Sequence, residues 1–249
     1  MCSYQSPTSL FPPLELLSLA AIYRDVTGRN PFFIDAVAQK KNINEVIQFI
    51  SKQQVQCVVS LIGFECFEED MQTIARLKEQ CNNIKIFVFG HYPTQFSEEI
   101  LKKSAADVVL KGEPEEVFSE NILSFSEKTS GKQIWSLPTG SGVNKNRIKN
   151  YNNLPTAAYE LADHTHYHEP MMAHPFGMIQ SARGCPYSCN YCVRSFGARL
   201  TLRSPEKVVE EILLLKKIHN IRALRFIDDT FTINKKRVLD ICQLIIAGR

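Results

Sequence analysis

Residues 56–90 read QCVVSLIGFECFEEDMQTIARLKEQCNNIKIFVFG, and the fold is decided there. Gln56–Ile62 is a continuous apolar run of the length of a buried strand. Glu68–Glu79 follows with helical spacing, and Ile84–Phe89 is a second apolar run closed by Gly90. Two such strands joined by a helix form the unit from which parallel sheets are built, since antiparallel neighbours need only a short turn between them.

The same alternation extends outward. Upstream, Leu14–Val26 reads as an amphipathic helix stopped by Gly28, Phe32–Ile34 as a short strand and Ile43–Lys52 as a helix. Downstream, Ser97 is placed to N-cap a helix over Glu98–Lys103, and Asp107–Leu110 is the last strand of this part. Pro114 fits the first turn of a helix ending near Gly131. Strands alternating with helices predict an α/β fold with a doubly wound parallel sheet over residues 1–130. Ligands of such sheets sit beyond the carboxyl ends of the strands, which nominates Ser60–Phe64, Gly90–Thr94 and Lys111–Glu113. None of these loops is a glycine-rich phosphate cradle, so the ligand is not written in a local motif.

Residues 131–174 change character. Pro138, Gly140, Gly142 and Pro155 punctuate a Ser- and Asn-rich stretch that reads as a linker. It ends in Asp163-His164-Thr165-His166-Tyr167-His168-Glu169, whose alternating histidines read either as one metal-binding side of a strand or as solvated linker residues. From Met178 the alternation restarts. Met178–Ser181 is a strand running into a cysteine loop, Ser204 and Pro205 cap a helix over Glu206–His219, Leu224–Asp228 is a strand and Lys235–Ile246 a helix. This predicts the start of a second parallel α/β domain over residues 175–249.

A chain of 249 residues with 44% hydrophobic content holds one large or two modest domains with a real core. No apolar run nears the ~20 residues of a membrane span. The opening Met-Cys-Ser-Tyr-Gln-Ser-Pro has no signal-peptide pattern, so the expectation is a cytoplasmic protein without a membrane partner. There, eight cysteines predict thiols or metal ligands rather than a disulfide framework. Cys2, Cys57, Cys66, Cys81 and Cys242 are scattered, and Cys57 and Cys242 sit among apolar neighbours as small core residues. The net charge of +3 is uneven: residues 1–180 carry 16 basic and 20 acidic side chains, residues 181–249 carry 13 and 6. The basic C-terminal part suits anionic ligands or nucleic acid, or is a solvated helical surface.

The other three cysteines lie in Gly184-Cys185-Pro186-Tyr187-Ser188-Cys189-Asn190-Tyr191-Cys192, a C-x3-C-x2-C spacing. Three thiolates on one tight loop can hold three irons of a [4Fe-4S] cubane, leaving the fourth open to an exogenous ligand. The competing reading is structural zinc, which takes four ligands, usually as paired C-x2-C units. Only one C-x2-C is present, and the nearest upstream histidine, His174, lies in a Pro-flanked segment.

C-x3-C-x2-C with an aromatic residue before the third cysteine resembles the signature of radical SAM enzymes. Ser181-Ala-Arg-Gly-Cys-Pro-Tyr, Arg203-Ser-Pro-Glu-Lys-Val-Val-Glu-Glu-Ile and Phe226-Ile-Asp-Asp-Thr-Phe resemble the cobalamin-binding subgroup of that family. Phe11-Pro-Pro-Leu-Glu-Leu-Leu, Phe89-Gly-His-Tyr-Pro-Thr and Lys111-Gly-Glu-Pro-Glu resemble that subgroup's N-terminal B12-binding domain, so the resemblance covers nearly the whole chain. It implies a flavodoxin/Rossmann-like B12-binding-type domain at 1–130, a linker at 131–174 and the first two β/α units of a radical SAM partial barrel at 175–249.

By position, the resemblance makes Cys185, Cys189 and Cys192 the cluster ligands and sets Tyr191 near the adenine of S-adenosylmethionine. Arg183 and Arg203 suit carboxylate or phosphate groups, while Arg194 and Arg199 read equally as solvated. Asp228 and Asp229 stand at a strand's carboxyl end, where a barrel places its active site. The alternative for these acids is capping, or pairing with Arg222 or Arg225. In the first domain, Ser60, Gly90, Thr94, Gly112 and Glu113 become the cofactor-contacting residues. The Asp-x-His-x-x-Gly cobalamin motif is absent, so cobalamin would bind without a lower histidine ligand.

The implied activity is cleavage of S-adenosylmethionine to a 5′-deoxyadenosyl radical, with cobalamin-dependent methyl transfer to an unactivated carbon. A radical SAM cyclase shares the signature; a tRNA-modifying enzyme and a non-catalytic cluster- or corrinoid-binding module are the alternatives. The implied partners are a small-molecule substrate and an electron donor such as flavodoxin or ferredoxin. Nucleic acid is disfavoured because the N-terminal domain lacks a cysteine trio and no RNA-binding appendage is visible. Two β/α units of the barrel are legible before Arg249, which gives the expectation of a truncated chain with a second polypeptide completing the barrel.

Overall fold

The computed structural model describes residues 9–64, 66–81, 83–125, 131–137, 147–192 and 196–248. Cys2, Pro138, Gly140, Gly142, Arg194 and Arg249, named above, lie outside the described residues. The chain divides into two units, one drawn from residues 22–137 with Arg147 and the other from residues 9–21 and 148–248. Helix α1 (Leu14–Thr27) begins in the second and ends in the first.

In the first unit, β1 (Cys57–Leu61), β2 (Lys85–Phe89), β3 (Val108–Leu110) and β4 (Gln133–Trp135) form a parallel sheet in that order. Helix α2 (Ile43–Lys52) precedes β1, and α3 (Phe67–Gln80), α4 (His91–Gln95), α5 (Ser97–Lys103) and α6 (Pro114–Asn121) fill the connections. The start of α2 is set by a reciprocal cap. Asn42 Oδ1 accepts from the N–H groups of Asn44 and Glu45, and Glu45 Oε2 accepts from the N–H of Asn42. Ile86, Val88 and Val109 turn one face of the sheet to Ile47, Ile50, Ile74 and Leu77. Phe87 points the other way and meets Phe118, Phe125 and Trp135 edge-on, at centroid distances of 6.5, 4.8 and 5.0 Å. Both faces are covered, which is why β2 is buried and apolar from Ile86 to Phe89.

Several sequence expectations need correction here. Phe32–Ile34 forms no strand; Phe32 instead lays its exposed ring edge-on against Phe49 of α2, 5.4 Å between centroids. Ser97 does not cap α5 but lies buried inside it, because α4 abuts α5 and leaves Phe96 at the junction. Helix α6 stops at Asn121 rather than near Gly131. Asn121 O accepts from the N–H groups of Ser124 and Phe125, and the resulting turn brings Phe125 onto Phe87 and Trp135. Strand β4 falls in the stretch read as a linker; three residues are too few to show a period in sequence. Among the described residues six cysteines are free thiols and Cys66 is disulfide-bonded, and Cys242 is exposed rather than a core residue.

In the second unit, β5 (Phe176–Ile179) and β8 (Ala223–Phe226) pair in parallel, joined through α7 (Pro205–His219), and α8 (Lys235–Ala247) follows β8. Two-residue strands β6 (Ala182–Arg183) and β7 (Thr201–Leu202) pair antiparallel. Helix α7 begins on Ser204, whose Oγ accepts from Lys207 N–H, with Pro205 at the first helical position. It ends at Asn220, which takes the left-handed conformation at φ 49°. Gly177 of β5 permits close packing: a Cβ there would lie 2.8 Å from Ile221 Cδ1 and 3.2 Å from Leu215 Cδ1.

Residues 148–174 pack within this second unit rather than forming a free connection. Their three histidines do not share a strand face. His164 is buried with Nδ1 3.1 Å from Phe176 O and stacks on His219 at 4.1 Å, while His166 and His168 are exposed. Tyr167 supplies the buried ring between them, which is the physical reason the alternation fails.

Candidate functional site

The cysteine loop hangs between β6 and β7 at the carboxyl end of β5, closed by a bond from Cys185 N–H to Gly197 O at 3.0 Å. Gly184, at φ 87°, makes the turn out of β6 that a side chain would strain. Cys185 is half-buried and accepts a hydrogen bond on Sγ from Thr230 Oγ1 at 3.2 Å. Cys189 and Cys192 are exposed, joined by a turn from Cys192 N–H to Cys189 O. Tyr191 is 91% exposed. Among the described residues, no three His, Cys, Asp or Glu side chains are gathered closely enough to hold a metal ion. The donor set nevertheless fits an iron–sulfur cluster: three free thiols, borne by one loop, match three irons.

Beneath the loop lies a polar layer set by the carboxyl end of β8. Asp228 accepts from Ser181 N–H at 2.6 Å and Ser181 Oγ at 2.5 Å, and Asp229 Oδ2 accepts from Gly184 N–H at 2.8 Å. Burial pushes the Asp228 carboxyl above the ordinary range, against the opposing hydrogen bonds of Ser181 and the charge of Arg237. Arg237, on the first turn of α8, donates to Ser181 O at 2.8 Å and to Arg203 O at 2.9 Å. Neither acid pairs with Arg222 or Arg225 in these hydrogen bonds; Arg225 meets Glu169 at 3.0 Å.

The two nominated arginines are both buried. Arg183 donates to Gln180 Oε1 at 2.7 Å and lies over the rings of Tyr151 and Phe196, 4.9 Å from each centroid. Arg203 pairs with Glu211, which also accepts the Tyr159 hydroxyl. Burial raises the Glu211 carboxyl despite that cation. Arg199 reaches Ile148 O at 2.5 Å and is not simply solvated. Sequence reasoning missed Thr230, Arg237, Glu211 and Tyr151. Glu211 had a legible signal, since it occupies the core stripe Val208–Glu211–Leu215 of α7, where an acid demands a partner.

In the first unit, the carboxyl edge of the sheet gathers most of the residues nominated there. Thr94 Oγ1 donates to Gly90 O at 2.7 Å and accepts from Gly112 N–H at 3.1 Å, bridging two loops. Gly90 is at φ 127°, and a Cβ on it would stand 2.6 Å from Ile62 O. Glu113 is buried and pairs with Arg147 Nε at 2.6 Å, while Ser60 lies half-buried within β1. No described helix is long and apolar enough to cross a membrane.

No protein-family model matches the chain. It is 30% identical over 240 residues to an uncharacterized methyltransferase of Pyrococcus horikoshii, covering 92% of this chain and 51% of the relative. It is 26% identical over 261 residues to the anaerobic magnesium-protoporphyrin IX monomethyl ester cyclase of a Synechocystis strain, covering 97% and 50%. Among solved structures, the radical S-adenosylmethionine methyltransferase TsrM of Kitasatospora setae, with tryptophan substrate and a SAM analogue bound, superposes with a TM-score of 0.67 at 16% identity. That match covers 96% of this chain and 49% of the other, and establishes the shared fold. The chain thus spans about half the length of the curated relatives it matches. The likeness runs through nearly all of it and bears out the resemblance to radical SAM proteins with a B12-binding-type domain.

Proposed function

We propose, from that kinship with radical SAM proteins, that this chain binds a [4Fe-4S] cluster through Cys185, Cys189 and Cys192 and serves an enzyme acting on S-adenosylmethionine. The reaction we infer is cobalamin-dependent methyl transfer to an unactivated carbon of a small molecule; ring closure is the second reading, favoured by the cyclase relative. The observation that carries the proposal is three free thiols at C-x3-C-x2-C spacing on one loop, at the carboxyl edge of a parallel strand pair.

When bound, the cluster supplies the electron that cleaves S-adenosylmethionine and starts radical chemistry. The chain's own residues prepare that site. Gly184 and Asp229 fix the exit from β6, Thr230 holds Cys185, and Tyr191 is free to meet an adenine ring. Both oxygens of Asp228 are engaged by Ser181, so this residue positions the loop rather than moving a proton. In the first unit, the Thr94 bridge between Gly90 and Gly112 shapes the edge assigned to the corrinoid. A flavodoxin- or ferredoxin-type protein delivers the electron.

Anaerobic reconstitution with iron and sulfide tests the reading. The expected product is a brown protein with about four irons per chain that co-elutes with hydroxocobalamin and yields 5′-deoxyadenosine from S-adenosylmethionine under strong reductant. A colourless protein carrying one zinc refutes the cluster assignment. A brown protein that yields no 5′-deoxyadenosine leaves it a cluster-binding module.

A further inference from the structure

We infer that Thr230 is a positioning residue that tunes the reduction potential of the cluster through Cys185, an inference that rests on the cluster assignment above. Three consecutive residues at the carboxyl end of β8 each grip one point of the segment entering the cysteine loop. Asp228 holds Ser181, Asp229 holds Gly184 N–H and Thr230 donates to Cys185 Sγ at 3.2 Å. Of the three, only Thr230 touches an atom that would ligate iron. Cys185 is half-buried and its backbone is tied across the loop to Gly197 O, whereas Cys189 and Cys192 are exposed and tied to each other in a turn.

The physical consequence follows from charge. One-electron reduction adds negative charge to the cluster, part of it on the ligating sulfurs. An O–H dipole aimed at one of those sulfurs favours the reduced state and so raises the potential. The backbone at Thr230 is extended, at φ −154° and ψ 91°, and suits a β-branched residue. Valine therefore replaces threonine with the same shape and without the donor.

The test is redox titration of the reconstituted protein, followed by the electron paramagnetic resonance signal of the reduced cluster. Thr230→Val is expected to lower the midpoint potential at unchanged iron and sulfide content, and Thr230→Ser to restore it. A Thr230→Val cluster that titrates at the wild-type potential overturns the inference while leaving the cluster assignment intact. Failure of the wild-type chain to assemble a cluster overturns both. If Thr230→Val fails to fold by circular dichroism, Thr230→Ala against Thr230→Ser supplies the same comparison, and equal potentials in that pair refute the role.

Discussion

Protonation of His164 should unlock the second unit as pH falls. The imidazole is buried, with Nδ1 against Phe176 O and its ring stacked on His219, and burial depresses its pKa from 6.5 to about 4. The unfolded chain takes up a proton near pH 6.5, and the folded chain resists until about pH 4. Stability from this group is thus complete above pH 6.5 and is lost as pH falls through that window. With these two values, linkage gives a loss of about 2 kcal/mol between pH 7.5 and pH 5, approaching about 3 kcal/mol below pH 4. In urea, a slope of about 1–3 kcal/mol/M makes this a midpoint shift of about 1 M at pH 5. Acid acts on more than this one group, so the measurement is the difference between wild type and His164→Phe, unfolded in urea at both pH values and followed by far-ultraviolet circular dichroism. The variant should lack the His164 share of the acid destabilisation. Identical midpoint shifts in the two proteins would show that His164 is protonated without cost and that burial does not govern it.

Other perturbations follow from single contacts. Phe87→Ala removes the ring shared by Phe118, Phe125 and Trp135 and should cost about 3–5 kcal/mol, read from the fluorescence of Trp135, the chain's sole tryptophan. Gly90→Ala forces a Cβ against Ile62 O at positive φ and should cost about 1–3 kcal/mol, with hydroxocobalamin retention falling in parallel; a wild-type thermal midpoint would contradict it. Glu211→Ala strands Arg203 as a buried, unpaired cation and should cost about 3–5 kcal/mol, whereas Glu211→Ala with Arg203→Met should recover part of that loss in a double-mutant cycle.

The parallel sheet was legible in sequence because β1 and β2 are apolar runs separated by a helix of ordinary length, and such runs need no partner to be recognised. Strand β4, three residues long, carried no such pattern. The failed strand at Phe32–Ile34 shows the converse: apolar residues next to each other satisfied themselves through the Phe32–Phe49 contact rather than through a ladder. The cysteines of the candidate site were legible because ligand spacing within one loop is a local property. The residues that hold the loop are not local. Asp228, Asp229 and Thr230 reach it across about 45 residues of sequence, through the pairing of β5 with β8.

Charge shows the same division between what composition states and what folding does with it. The excess of basic residues after position 180 left open anionic ligands, nucleic acid or a solvated helical surface, and the last does not describe Arg183, Arg203 or Arg237. All three are buried, on the segments that enter, leave and support the cysteine loop. Burying a guanidinium is costly unless its donors are engaged. Here Gln180 Oε1, the Glu211 carboxylate and the carbonyls of Ser181 and Arg203 engage them. Against these three cations the same layer sets Asp228 and Glu211, whose carboxyls burial pushes toward the neutral form. Asp229, on Gly184 N–H, is the third acid of the layer, so three carboxyls answer three guanidiniums beneath the cysteine loop. The polar layer then has a reason to be costly: an apolar core of the same volume would leave Ser181 and Gly184 without the acceptors that fix the segment entering the loop.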